Sequence, residues 1–142
     1  MSFTYKMTAV SDLLEQIGEL PKVEDRVAAL RANGNPTLKS ILGHMFDPRI
    51  KFALPEGTPP YRPSKFDEPA ALVQQVSKFY LFVEGVGPRD MKPLRREHLF
   101  IQLLESVSPN DALLLIAMKE KRSPFPNITY DLVKQAFPEL FA

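Results

Sequence analysis

Six of the chain's fourteen prolines, Pro48, Pro55, Pro59, Pro60, Pro63 and Pro69, fall within "PRIKFALPEGTPPYRPSKFDEP". No α-helix or central strand runs through such spacing, because each proline fixes its own φ and lacks an amide donor. The residues on either side must therefore form separate elements, joined by a long extended segment. What flanks the segment decides the fold class.

On the N-terminal side the spacing is helical. Val10, Leu13, Leu14, Ile17 and Leu20 recur on one face before Pro21. A second short helix through Val23, Val27 and Leu30 stops at "NGNP", where Asn33-Gly34 suits a left-handed C-terminal cap. Asn35-Pro36 suits an N-cap followed by proline in the first turn. The third helix carries Leu38, Ile41, Leu42, Met45 and Phe46, with Lys39, Ser40, Gly43 and His44 on its other side. It ends at Asp47, before Pro48.

On the C-terminal side, Asp67 and Pro69 open a fourth helix with a stripe of Leu72, Val76, Phe79 and Val83, covered on both sides near "FYLFVEG" and stopped by Gly85. A fifth helix runs from Leu94 to Val107. "SPND" starts a sixth, with Ser108 as cap and Asp111 in a capping-box position. Its consecutive Leu113, Leu114, Leu115 and Ile116 point in every direction, so it is expected at the centre, emerging into solvent at "KEKR". Thr129 caps a last helix, with Ile128 and Val133 placed as a hydrophobic staple. Only "IKFAL" alternates like a strand. The expectation is an all-α compact single domain over 1–142, of about six or seven helices: N-terminal helices in 1–47, a proline-rich strap in 48–68, and C-terminal helices in 69–142.

Ile50, Phe52, Leu54, Tyr61 and Phe66 are spaced through the proline segment, which gives it apolar anchors. The leading reading is a strap lying across the helices, stiffened by its prolines. The competing one has Tyr61 and Arg62 projecting into a partner, since Pro60-Tyr61-Arg62-Pro63 matches the minimal pattern of ligands for aromatic grooves.

Little in the chain nominates catalysis. It has no cysteine, hence no disulfide, thiolate metal site or cysteine nucleophile. His98 has no histidine or acidic residue at metal-pairing helical spacing, and His44, with only Asp47 three residues on at the helix end, reads as an exposed surface histidine. No phosphate-binding loop, nucleophile elbow or calcium loop occurs. A non-enzymatic protein without cofactor is expected. The formal charge of +1 shows no basic surplus. No apolar run is long enough to span a bilayer and no signal peptide opens the chain, so a soluble, cytoplasmic protein without membrane contact is expected.

Two features of "LRREHLFIQLLESV" stand out. Arg96 falls within the apolar arc of the fifth helix and needs a partner there, for which Glu84 is placed. Arg89, Lys92, Arg95 and Arg96 also crowd one junction, and Lys119, Lys121 and Arg122 another. An antiparallel pairing of the fifth and sixth helices would bring the two into one basic corner, to which His98 adds a titratable group. The helix dipole also accounts for cations in a last turn.

The strings "DPRIKFALPEGTPPYRPSKFDEP", "FVEG", "LRREHLFIQLLESVSPNDALLLIAMKEKR" and "ITYDLVKQAFPEL" resemble a family of small, uncharacterised proteins of T-even-like tailed bacteriophages, including phages of marine cyanobacteria. The likeness spans roughly residues 47–140; residues 1–46 share only helical character. It implies a phage accessory protein in an infected bacterial cytoplasm and transfers no site residue. The expected function is protein-partner binding, in replication, repair or transcription machinery. The surfaces expected to carry it are the strap at Tyr61 and Arg62 and the corner at Arg95, His98, Lys121 and Arg122. Direct nucleic-acid binding through that corner is the alternative, and a structural place in the virion a further one. The oligomeric state is open.

Overall fold

The computed structural model describes residues 9–66, 68 and 70–142. Among these the chain forms seven α-helices: α1 Val10–Gly18, α2 Val23–Ala32, α3 Pro36–Phe46, α4 Ala70–Gln75, α5 Pro93–Ser106, α6 Pro109–Lys119 and α7 Tyr130–Ala136. Two 3-10 helices, Val76–Phe82 and Pro138–Phe141, continue from α4 and follow α7. The fold is all-α, and the expected strap separates α3 from α4.

α6 is the hub, packing against α1, α3 and α5. Its Ala112, Leu114, Leu115, Ile116, Ala117 and Met118 are all buried, as expected of a helix apolar on nearly every side. Leu113 is the exception at 58% exposure. α1 contributes Leu14 and Ile17 to this core, α3 contributes Leu38, Ile41, Leu42 and Met45, and α5 contributes Phe100, Leu103 and Leu104. Each fully buried leucine adds about 1.5–3 kcal/mol of transfer free energy. α2 and α7 form a second contact pair beside the hub.

Two starts are built as their sequences indicate. Asn35 Oδ1 accepts from the Leu38 amide at 2.8 Å, with Pro36 in the first turn. Thr129 Oγ1 accepts from the Leu132 amide at 3.2 Å, flanked by buried Ile128 and Val133.

Other expectations are corrected. Asn33 and Gly34 form no left-handed cap: Asn33 has φ −106° and Gly34 is not among the positive-φ glycines. Glycine is needed at 34 because a Cβ there would lie 2.8 Å from Phe137 Cε1. Ser108 makes no side-chain cap; Asp111 instead accepts the Ser11 amide at 3.2 Å through Oδ1, joining α6 to α1.

The fourth helix gives way to a 3-10 helix at Val76, whose tighter turn aligns residues three apart. Phe79 and Phe82 consequently point inward together, and Tyr80 is 49% exposed rather than covered. The helical run stops at Phe82, three residues before Gly85. Val83 there pairs with Phe52 in an isolated antiparallel bridge, bonded by Ala53 N–H to Phe82 O at 2.7 Å and Glu84 N–H to Lys51 O at 2.7 Å. The strand-like "IKFAL" thus makes one rung. The roles expected of Asp67 and Pro69 lie outside the described residues.

Candidate partner-binding surface

The strap is docked. Phe52, Leu54 and Tyr61 pack against the core as partly buried side chains, and burial pushes the Tyr61 phenol up from its ordinary pKa. Phe66 is no anchor, since it is 76% exposed. Polar contacts fix the backbone between these side chains. Lys119 Nζ donates to Pro55 O at 3.0 Å, the Gly57 amide donates to Glu120 Oε1, and the Arg62 amide donates to Glu105 Oε2 at 2.8 Å. Gly57 has φ +89°, a left-handed conformation that favours glycine. Burial raises the pKa of the Glu120 carboxyl, but the Gly57 amide and the Lys119 ammonium outweigh it and hold it below the usual carboxylate value.

This docking divides the expected motif. Tyr61 turns inward and is half-buried, whereas Pro60, Arg62 and Pro63 remain exposed. Because Arg62 is anchored through its amide, its guanidinium is left on the outer face.

Two lysines at the expected basic corner are engaged within the fold. Lys119 is buried rather than emerging into solvent, with its ammonium on Pro55 O and 3.3 Å from Glu120 Oε1. Lys121 adopts φ 58°, rare for a residue with a side chain. Its amide bonds Met118 O and that of Arg122 bonds Ala117 O, the paired bonds of a Schellman ending, usually made with glycine. The lysine ammonium reaches across to α3, donating to His44 O and, at 2.8 Å, to Asp47 O. Burial lowers its pKa, while Asp47 opposes the shift. Arg96 does not reach Glu84; it donates to Leu81 O at 3.2 Å and Met91 O at 3.4 Å. Arg95, His98 and Arg122 stay exposed.

A common device explains these departures. The last carbonyls of a helix lack partners within it, and a cation from another element satisfies them. Lys121 serves the end of α3 in this way. Arg31 serves α7 through Gln135 O at 2.9 Å and Ala136 O at 3.3 Å, and Arg26 serves the turn after α1 through Leu20 O at 2.7 Å. Sequence reasoning missed these roles because acceptors up to 105 residues away carry no local signal.

His44 is likewise misread as a surface residue. Its ring lies 5.4 Å from that of Phe79 and 6.2 Å from that of Phe52, and Nδ1 is 2.7 Å from Ser40 O. Burial lowers its pKa, with Lys121 adding to the effect and Ser40 and Asp47 opposing it. Asp47 is held by Arg49 through both carboxylate oxygens, at 3.0 and 2.9 Å, which lowers its pKa against the effect of burial. Among the described residues, no group of three or more histidine or acidic side chains is placed to hold a metal ion, and no helix is long and apolar enough to cross a membrane.

These features define a small all-α protein with a proline-rich strap fastened across its central helices. The chain belongs to a family of unknown function, DUF6433, whose model matches residues 13–123. The match takes in most of α1, all of α2 to α6 and the whole strap, and ends before α7. It therefore reaches well into the N-terminal helices. No curated protein matches the chain.

Proposed function

We propose that the protein is a non-enzymatic accessory protein of a tailed bacteriophage, acting in the host cytoplasm by binding a protein partner in replication, repair or transcription machinery. The phage setting rests on the resemblance over residues 47–140. The binding role rests on the outer face of the strap. Pro60, Arg62 and Pro63 are exposed on a backbone already fixed by Glu105, Lys119 and Glu120. A ligand ordered before it meets its partner loses less conformational entropy on binding. Direct nucleic-acid binding has weaker support, because Arg96, Lys119 and Lys121 are engaged with backbone carbonyls.

The test is affinity capture from infected cells, with and without nuclease, using the full chain and its Arg62→Glu variant. That substitution leaves the amide contact with Glu105 in place. A protein retained after nuclease, lost with Arg62→Glu and bound again when purified supports the proposal. Recovery of nucleic acid alone, or equal capture by both chains, overturns it.

A further inference from the structure

A second surface lies at the opposite end of α6 from the strap anchors. α1, the first turns of α6 and the 123–127 loop enclose a cavity of about 210 Å³. Leu113, Leu114, Pro124 and Phe125 form its apolar wall, and Asp12 and Glu15 stand on the α1 side. Among the described residues, no lysine or arginine lines it. Leu113 keeps 58% of its surface exposed here, on a helix otherwise almost wholly buried. Ser11 also lines the cavity and is only 6% exposed, yet its hydroxyl has no hydrogen-bond partner among the described residues.

We infer that this cavity binds a protein segment carrying an aromatic or branched aliphatic side chain beside a lysine or arginine. The apolar group enters between Leu113 and Phe125, where it displaces water from facing hydrocarbon. The cation meets Asp12 and Glu15, two carboxylates with no basic neighbour among the described lining residues. The volume accommodates one large side chain rather than a helix, so recognition is through a single anchor. This surface shares no lining residue with the cleft between the strap and α5, so it is independent of the strap proposal.

The test titrates the ¹⁵N-labelled full chain with three capped pentapeptides, Gly-Lys-Phe-Lys-Gly, Gly-Lys-Ala-Lys-Gly and Gly-Glu-Phe-Glu-Gly, following amide shifts. The first is expected to move Ser11, Asp12, Leu113 and Phe125, with the other two weaker by about tenfold or more, the loss equivalent to one buried ring or one reversed charge pattern. The Asp12→Asn, Glu15→Gln double variant should weaken the first peptide several-fold while leaving far-UV circular dichroism unchanged. Equal binding of the alanine or glutamate peptide, shifts centred elsewhere, or no shifts at all would overturn the assignment. The peptide series on the unaltered chain decides even if the variant fails to fold.

Discussion

The ammonium of Lys119, on the central helix, is bonded to the carbonyl oxygen of Pro55 in the strap, although 64 residues separate them. The lysine side chain is only 3% exposed, so this bond is shielded from water and replaces the hydration both groups lose. Lys119→Met keeps most of the aliphatic stem and removes the donor. It is expected to destabilise the protein by about 1.5–3 kcal/mol, the range for a hydrogen bond to a charged group. Urea denaturation measures the loss, and amide exchange near Gly57 should accelerate. A stability change near zero would mean that the strap is held by its apolar contacts alone.

Lys121 sets a local cost against a distant gain. Its left-handed backbone costs about 1–2 kcal/mol relative to glycine, whereas its ammonium serves two carbonyls at the end of α3. Lys121→Gly removes both at once. The two charge-assisted bonds outweigh the strain, so the expected result is a net loss of about 1–3 kcal/mol. A more stable variant would show that the ammonium contributes less than the strain it imposes.

Two glycines should respond differently to alanine. At Gly34 a Cβ meets the Phe137 ring at 2.8 Å, and the ring is itself buried. Gly34→Ala is expected to cost about 1–3 kcal/mol through overpacking. At Gly57 no atom of the described residues lies within 4 Å of the added carbon, so the backbone alone objects. Gly57→Ala should cost about 1–2 kcal/mol and loosen the amide contact with Glu120. Thermal melts of both variants, with exchange at residues 55–60, separate the two mechanisms.

Stability should fall as pH drops below 6.5. Burial favours the neutral His44 imidazole in the folded protein, its pKa lying below the ordinary histidine value of 6.5. The unfolded chain therefore binds the extra proton in this range, so its contribution is full above 6.5 and is lost as pH falls through the folded value. The low value of Asp47 acts below 3.8, outside this window. Denaturation between pH 7.5 and the onset of carboxylate titration checks the slope, and His44→Gln should flatten it.

Much of the fold is legible because its signals are short-range. Asn35-Pro36 and Thr129 each announce a helix start within a few residues, and both caps form. The run Leu114, Leu115 and Ile116 identifies the central helix from composition alone. What escapes the sequence is long-range. Asp111 sits where a local capping acid belongs, yet it serves Ser11, 100 residues away. Lys119 and Lys121 read as solvated charges at a helix end until the strap and α3 supply carbonyls for them. Gly34 resembles a turn residue, and only the position of Phe137 reveals a steric one. The strap itself was readable; which of its aromatic side chains faces inward was not, and Tyr61 and Phe66 fall on opposite sides of that division.

The strap's distant fastenings impose an order on synthesis. Gly57 and Pro55 are made 63 and 64 residues before the side chains that hold them. At the usual ribosomal pace, Phe52, Leu54 and Tyr61 wait about 3–13 s before the end of α6 exists to receive them. An extended stretch with exposed aromatic and aliphatic groups would ordinarily invite pairing with neighbouring nascent chains. Prolines at 55, 59, 60 and 63 withhold the amides that such pairing requires. The residues that stiffen the finished strap thus also guard the unfinished one.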